Sequence, residues 1–340
     1  MLHPDTRLMT EVIRIPEALN ADDPAHVQTI YQAIENSTQS PLESVRKPAE
    51  DLLKACEDLP GYTSVLAMIA GTHAADPDAR AGAVILLKNV VRVRWKSRGG
   101  RGRLVGEGEK AALRGFLLRA MEEPNAKVAV LLAVLMAKVA RVDWPRQWSE
   151  LFGSLMASAT QGQALRRKRA VYSLHQVLKE LSSKRVGFDK AAFSAMAAEL
   201  FPVIKSMWDA QWVLVERVLA AVSPVSAEEP ANSLGPEAVE ALGLATTCVK
   251  VLYRLIIFGI PGLEHVQAAP FFEALLQRMH SLESALSRIR LPWEAGTRRG
   301  VGGGQEDELW ALVAGLQKLW RRMGIVAVDA QKDFPIAFRR

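Results

Sequence analysis

The chain has 340 residues, of which 49% are hydrophobic, 24% are charged and only 6% are aromatic. This length allows a large core and exceeds that of most single compact domains, and the abundance of Ala, Leu and Val favours helices over sheets. Cys56 and Cys248 lie far apart, so the sequence excludes a disulfide framework and indicates a reducing, intracellular context. The longest apolar run, 128–137, is shorter than the roughly 20 residues of a membrane-spanning helix.

The formal net charge of +6 suits either nucleic acid or an acidic protein partner. An equally plain interpretation is that the rest of a longer chain balances this charge. The charge alone therefore leaves both interpretations open.

Predicted helices alternate with short breaks along the chain, and they fall into pairs. The pairs are 26–38 with 42–58, 62–73 with 77–97, 107–122 with 125–142, 146–160 with 163–183, 188–220 with 236–258, and 266–290 with 306–327. The early pairs repeat at roughly 40–45 residues, which is typical of HEAT repeats. Proline at the start of several second helices fits the preference for the first helical position, where its missing N–H costs nothing.

The second helices of the pairs show the periodicity that repeat packing requires. Ala83, Leu87 and Val90 form one apolar stripe, and helix 125–142 is apolar on nearly every side. Such a helix is expected to be buried on several faces, as occurs when it packs on its partner and on both neighbouring repeats. The pattern predicts an all-α fold, an α-solenoid (a right-handed superhelix) of HEAT/ARM-like helical repeats.

No catalytic or metal-binding pattern is visible in the sequence. The six histidines form no HExxH or other close pair, and Cys56 lies in an apolar helical pattern that indicates a small buried residue. The glycines of the loop 98–108 do not have the GxGxxG spacing, and a helix rather than a strand precedes them. We therefore predict that the protein is not an enzyme and binds no cofactor or metal.

Two basic runs allow a nucleic-acid interpretation. The first ends one helix and enters the Gly/Arg loop 98–108, and it consists of Arg92, Arg94, Lys96, Arg98, Arg101 and Arg103. A basic loop of this kind can contact RNA phosphates, but cations at a helix C-terminus are also ordinary partners of the helix dipole. The second run, 166–169, leads into a helix, so we interpret it as a helix surface rather than a localisation signal.

An ordered series of motifs resembles one known family. The first motif is RKPAEDLLKACEDLPGY, the second is LKN followed by a Trp, and the third is a Trp-Pro-x-x-Trp sequence. In this chain the series is carried by Ala49, Glu50, Leu53, Pro60, Gly61, Leu87, Trp95, Trp144, Pro145 and Trp148. At these spacings it is similar to the N-terminal repeats of the importin-β (karyopherin) superfamily, from about residue 40 to about residue 260. We expect Trp144 and Trp148 to pack in the core, with Pro145 starting a helix.

The resemblance implies a nuclear transport receptor that does no chemistry. Members of this family bind the small GTPase Ran in its GTP state through the inner helices of the first repeats. They carry protein cargo, contact Phe-Gly nucleoporins through clefts between outer helices, and are found in the cytoplasm, the nucleus and the nuclear pore. The family does not imply a cofactor or a membrane partner, and we do not expect nucleic acid. The candidate Ran-binding residues are Lys54, Lys88, Asn89, Arg92, Lys127 and Lys138.

The predicted domains are a leader at 1–25, an importin-β N-terminal domain at 26–105 and further HEAT-like repeats at 106–340, which we expect to be truncated at the C-terminus. The basic charge and the Gly/Arg loop depart from the family pattern. Three alternatives stay open: the candidate cations are ordinary solvated charges, the chain is a HEAT-repeat scaffold without Ran binding, or it is an RNA-binding repeat protein that uses the Arg/Gly loop.

Overall fold

The computed structural model describes residues 16–96, 103–182, 187–221, 235–259, 268–287 and 305–333. Over these residues the chain forms twelve α-helices and no strand, as the composition predicts. It divides into two compact units, Met1–Leu151 and Phe152–Arg340. The predicted domain boundary at residue 105 stays a prediction.

The described part of the first unit is built from helical hairpins. These are α1 (Pro24–Gln39) with α2 (Glu43–Cys56), α3 (Tyr62–Gly71) with α4 (Pro77–Arg94), and α5 (Glu107–Arg119) with α6 (Ala126–Asp143), and a 3-10 turn (Ala120–Glu122) follows α5. Because α3 packs on α5 and α4 packs on α6, the first and second helices of these two hairpins form separate layers. This arrangement is that of stacked helical repeats.

Side-chain caps fix where several of these helices begin. Asp76 accepts hydrogen bonds from the backbone N–H groups of Asp78 and Ala79, and Pro77 occupies the first position of α4. Asn125 caps α6 in the same way. Such caps satisfy N–H groups that have no partner inside the helix, which explains why the predicted breaks match the observed helix starts closely.

The apolar stripes predicted in α4 and α6 form the core of the first unit. Leu87 and Val90 of α4 are buried, and so are Val128, Leu132 and Val139 of α6. The burial of α6 on several faces agrees with its apolar composition. Cys56, the last residue of α2, is also buried, as its surroundings predict.

A glycine is required between α2 and α3. Gly61 has φ of 82°, and a Cβ atom there would overlap the carbonyl of Leu19. Replacing Gly61 by Ala is expected to lower the free energy of unfolding by about 2–4 kcal/mol, because left-handed strain alone costs about 1–2 kcal/mol. Gly108→Ala is the control, since open space surrounds Gly108 on α5. A urea titration in which Gly61→Ala matches Gly108→Ala would contradict the expectation.

The second unit contains longer helices. They are α7 (Leu151–Gln161), α8 (Ala164–Leu181), α9 (Gly187–Ala221), α10 (Gly235–Gly259), α11 (Ala268–Leu286) and α12 (Gln305–Asp333). α10 packs on α8 and on α12, and α9 packs on α10 and α11. The helices α8, α10 and α12 therefore lie side by side in one layer.

One helix in the described part of the chain is long and apolar enough to cross a membrane. It is the segment Ala238–Gly259 of α10, and 56% of its apolar window is buried inside the protein. This segment packs against α8, α9 and α12. Burial in the centre of the second unit accounts for its apolar composition.

The predicted helix 146–160 begins later than expected. α7 starts at Leu151, and residues 144–147 form turns after α6, so Pro145 does not occupy the first position of a helix. Trp144 and Trp148 are both buried, as predicted for core packing. The local pattern gave the wrong start because burial of these two indoles, rather than helix propensity, determines the path of this segment.

Candidate partner-binding surface

Two polar contacts fix how α4 and α6 lie beside each other. Lys127 Nζ lies 2.6 Å from Asp78 Oδ1 near the start of both helices. At their ends, Trp95 Nε1 donates a hydrogen bond of 2.8 Å to Asp143 Oδ1. The helices are therefore parallel, and positions about 48 or 49 residues apart lie at the same level. By this offset Lys138 lies level with Asn89.

A basic surface results from this alignment. Lys88, Asn89 and Lys138 are half-buried and Arg92 is exposed. The packed stripe of α4 runs through Ala83 and Leu87, so the polar face is offset from it, as the sequence predicts. Neither 79–94 nor 127–142 contains an Asp or Glu. Adjacent helices are about 8–10 Å apart, and these four residues on α4 and α6 are hereafter called the α4/α6 basic face.

The structure does not place all six candidate residues together. Lys127 is at the opposite end of α6, about 16 Å along the helix from Lys138, and it pairs with Asp78. Lys54 is exposed on α2, which packs mainly on α1. The α4/α6 basic face therefore consists of Lys88, Asn89, Arg92 and Lys138, without Lys54 or Lys127.

A buried carboxylate stabilises the end of this face. Asp143 is 2% exposed, and its second oxygen accepts a 2.7 Å hydrogen bond from Arg114 of α5. Lys110 Nζ lies 5.7 Å from the centre of the Trp95 ring, a cation–π distance. Asp143 thus joins the C-terminal ends of α4 and α6 to α5. The sequence motif identified Trp95, but it did not identify Asp143 or Arg114.

A second buried pair stabilises the other end. Arg80 of α4 forms an ion pair with Glu123, and each side chain is 2% exposed. Arg80 Nε also donates to the carbonyl of Ala70 at 3.0 Å, and Glu123 accepts from the backbone N–H of Asn125 at 2.8 Å. The pair therefore connects the end of α3, the start of α4 and the start of α6. Sequence reasoning missed both residues.

The basic run at the end of α4 is partly neutralised by acidic residues. Arg94 forms an ion pair with Asp58 and lies 3.4 Å from Glu57. The backbone N–H of Arg103 donates to Asp58 at 3.2 Å, and its guanidinium lies 3.7 Å from Glu109. Arg98 and Arg101 lie outside the described residues. Two of the six cations proposed for RNA contact thus have acidic partners within the protein.

Most of the motif residues have packing roles. Ala49, Leu53, Leu87 and Trp95 are buried, whereas Glu50 is exposed and lies 3.6 Å from Arg46. Pro60 accepts a 2.8 Å backbone hydrogen bond from Leu19, next to the left-handed Gly61. The motif thus fixes the turn between α2 and α3, which is the structural role the sequence suggests.

A groove of about 480 Å³ lies between α3 and α5, the first helices of their hairpins. Its lining includes Ala67, Met68, Gly71 and Phe116, and Met68 is 45% exposed. Polar groups at its edges include Thr63, which donates to Glu109. An apolar groove of this size can accommodate one aromatic side chain of a partner.

No set of three or more His, Cys, Asp or Glu suited to a metal occurs among the described residues. The two cysteines are buried, and burial raises the pKa of Cys248 to about 12. A thiol with so high a pKa is a poor nucleophile at neutral pH.

Comparison with known proteins relates the chain to one family. Residues 49–123 match the model of the Importin-beta N-terminal domain. Importin-11 of Mus musculus is 36% identical over 191 residues, which cover 56% of this chain and 19% of that protein. The motif series also resembles importin-11 in particular, and the 36% identity agrees with that resemblance. The chain spans about a fifth of the length of the curated relative.

Two solved structures share the fold. Lph2, a bidirectional nuclear transport receptor of S. cerevisiae, aligns with a TM-score of 0.61 at 20% identity, over 89% of this chain and 27% of that chain. The exportin Cse1 in its cargo-free, cytoplasmic state aligns with a TM-score of 0.62 at 14% identity, over 92% of this chain and 30% of that chain. These similarities confirm the predicted all-α solenoid of HEAT-like repeats.

Proposed function

We propose that the chain is the Ran-GTP-binding portion of a nuclear transport receptor. Such a receptor carries protein cargo between cytoplasm and nucleus through the nuclear pore. The proposal starts from the similarity of residues 49–123 to the Importin-beta N-terminal domain. The observation that carries this proposal is the α4/α6 basic face. The face is built on the second helices of two successive hairpins, and α4 lies within residues 49–123, which match the Importin-beta N-terminal domain.

The charge of this face suits an acidic protein surface. Lys88, Arg92 and Lys138 lie on neighbouring parallel helices, and the intervening helical segments contain no carboxylate. A row of cations steers and orients an oppositely charged partner more than it adds raw affinity. Its buried supports, Arg80–Glu123 and Asp143, keep the two helices aligned before binding, which lowers the cost of ordering the interface.

The mechanism follows from thermodynamic linkage. If Ran-GTP and cargo compete for the same inner surface, each lowers the other's affinity by the same factor. Cargo bound where Ran-GTP is scarce is then released where Ran-GTP is abundant. This step needs no catalytic group and no cofactor in the chain itself.

The proposal predicts selective binding of one nucleotide state. Residues 1–340 are expected to bind Ran loaded with a non-hydrolysable GTP analogue at least tenfold more tightly than Ran loaded with GDP, as measured by calorimetry or biolayer interferometry. The double charge reversal Lys88→Glu/Arg92→Glu is expected to weaken binding of the GTP form by at least tenfold, or about 1.4 kcal/mol. Its physical cause is repulsion of the acidic partner.

The matched control is Arg46→Glu/Lys47→Glu on α2, which changes the net charge by the same amount. In the part of the chain that the structure describes, Arg46 and Lys47 form ion pairs with Glu50 and Asp51 of their own helix. Equal losses in both double variants would show a general charge effect. Failure of the folded protein to distinguish GTP from GDP would favour a HEAT-repeat scaffold without Ran binding.

The groove between α3 and α5 is the proposed contact for Phe-Gly nucleoporins. Met68→Glu places a charge among its apolar lining and is expected to reduce retention on an immobilised Phe-Gly repeat peptide severalfold. Lys47→Glu on α2 is the control. Unchanged retention of the Met68 variant would exclude this groove as the Phe-Gly site, without affecting the Ran experiment.

A further inference from the structure

The layer formed by α8, α10 and α12 carries a second concentration of basic residues. Each helix has a pair of basic positions four residues apart, which places both side chains on one helix face. The pairs are His175 and Lys179 on α8, Lys250 and Arg254 on α10, and Lys318 and Arg322 on α12. α10 packs on both α8 and α12, and His175 lies within electrostatic range of Lys179, Lys250, Arg254 and Arg322. We call this set the α8/α10/α12 basic grid.

The electrostatic effect of each pair reaches its neighbours. Burial, followed by the positive charges of Lys250, Arg254, Arg322 and Lys179, lowers the pKa of His175 to about 4. Burial, followed by Arg322 and Lys318, lowers the pKa of Lys250. Residues on all three helices thus contribute to one local positive potential. A region of this kind is stabilised when an anion binds.

The grid contains polar atoms that the protein itself does not satisfy. Among the described residues, the buried Nδ1 of His175 and the buried Nε of Arg254 have no hydrogen-bond partner, and the Lys and Arg members make no ion pair. The guanidinium of Arg254 donates a hydrogen bond of 3.4 Å to the hydroxyl of Ser182. Asp329 of α12 accepts a 3.1 Å hydrogen bond from Tyr253. Within the described ranges, no ion pair therefore offsets the repulsion among the grid cations.

We infer that the α8/α10/α12 basic grid binds an acidic segment of a protein partner, rich in Asp and Glu. Adjacent helix axes are about 8–10 Å apart, so the grid extends about 20 Å across the layer. It extends about 6 Å along each helix. An extended segment of about six residues spans that distance. The carboxylates would lie over the three basic pairs, at a site separate from the α4/α6 basic face.

The local aromatic residues favour a protein over a nucleic acid. Tyr253 and Phe258 lie at the edge of the grid, with their ring centres 5.6 Å and 5.3 Å from the Arg254 guanidinium. Arg254 thus occupies stacking positions that bases of a single strand would use. The partial burial of His175 and Lys250 also suits side-chain carboxylates that reach between helices better than phosphates along a polymer.

The test uses the whole chain without Ran, so that it is independent of the proposed transport function. Fluorescence anisotropy would measure binding of a labelled peptide of about twelve alternating Glu and Asp residues, with the matching Gln and Asn peptide as a blank. Lys318→Gln/Arg322→Gln is expected to weaken binding at least tenfold. Arg46→Gln/Lys47→Gln removes the same charge from α2 and is expected to change it less than twofold.

A second variant, Lys179→Gln/Lys250→Met, keeps the inference testable if the α12 variant fails to fold. A further readout is His175, whose pKa measured by NMR is expected to rise when the acidic peptide binds. Equal losses in the α2 control would overturn the inference, as would an absence of peptide binding. Tighter binding of a single-stranded RNA of equal charge, lost in the same variants, would overturn the assignment to a protein partner.

Discussion

Replacing Glu123 by Ala is expected to lower the free energy of unfolding of the first unit by about 3–5 kcal/mol. The substitution leaves the Arg80 guanidinium buried at 2% exposure without its carboxylate. It also removes the acceptor for the backbone N–H of Asn125, the residue that caps α6. Urea denaturation followed by circular dichroism measures the change, and hydrogen exchange in 62–94 and 126–143 shows where it occurs.

The control for this prediction removes both charges together. Arg80→Met/Glu123→Leu is expected to be clearly more stable than Glu123→Ala, because no unpaired charge is then left in the core. The hydrogen bond from Arg80 to the carbonyl of Ala70 is still lost, so some destabilisation is expected to persist. A single variant as stable as the native protein would show that the pair is accessible to water rather than buried.

The helices could be predicted from the sequence because their signals are local. Asp76-Pro77 and Asn125 start helices by capping groups within three residues, and the apolar stripe of α4 repeats every three or four positions. The segment 144–148 shows where such signals fail. Its path depends on burying Trp144 and Trp148, which is a property of the assembled unit.

The candidate surface could be predicted only in part. Lys88 and Arg92 lie four residues apart on one helix, so their common face follows from the sequence alone. The position of Lys138 beside them depends on the alignment of α4 and α6. Two contacts that span 48 and 49 residues set that alignment. Lys54 and Lys127 are also candidates from the sequence, but whether they lie beside Lys88 depends on packing that the sequence does not specify.

The charged residues of the core were missed for a related reason. Arg80 and Glu123 are 43 residues apart, and each one locally resembles a solvated charge on a helix surface. Charged side chains are rarely buried without a partner, so a charge can be assigned to the core only when its partner is known. The same holds for Asp143, whose two donors come from α5 and from the end of α4.

Replacing Asp143 by Ala is expected to lower the free energy of unfolding of the first unit by about 3–4 kcal/mol and to weaken Ran-GTP binding as well. The change leaves Trp95 Nε1 and the Arg114 guanidinium without their acceptor, and a lost hydrogen bond to a charged group costs about 1.5–3 kcal/mol. Asp143→Asn is expected to cost about half as much, because its amide oxygen still accepts from Trp95. Urea titration measures the first effect and calorimetry with GTP-analogue-loaded Ran the second.

The comparison with Arg114→Met separates the two roles of Asp143. That variant removes the ion pair but keeps the hydrogen bond between Trp95 and Asp143, which joins the ends of α4 and α6. Its stability is expected to fall while its affinity for Ran-GTP stays close to that of the native chain. Only the loss of Asp143 itself should separate Lys88 and Arg92 from Lys138. If Asp143→Ala and the native chain bind Ran-GTP with equal affinity, the α4/α6 alignment does not determine binding. This conclusion would hold even if Asp143→Ala and Arg114→Met both unfold more easily than the native chain.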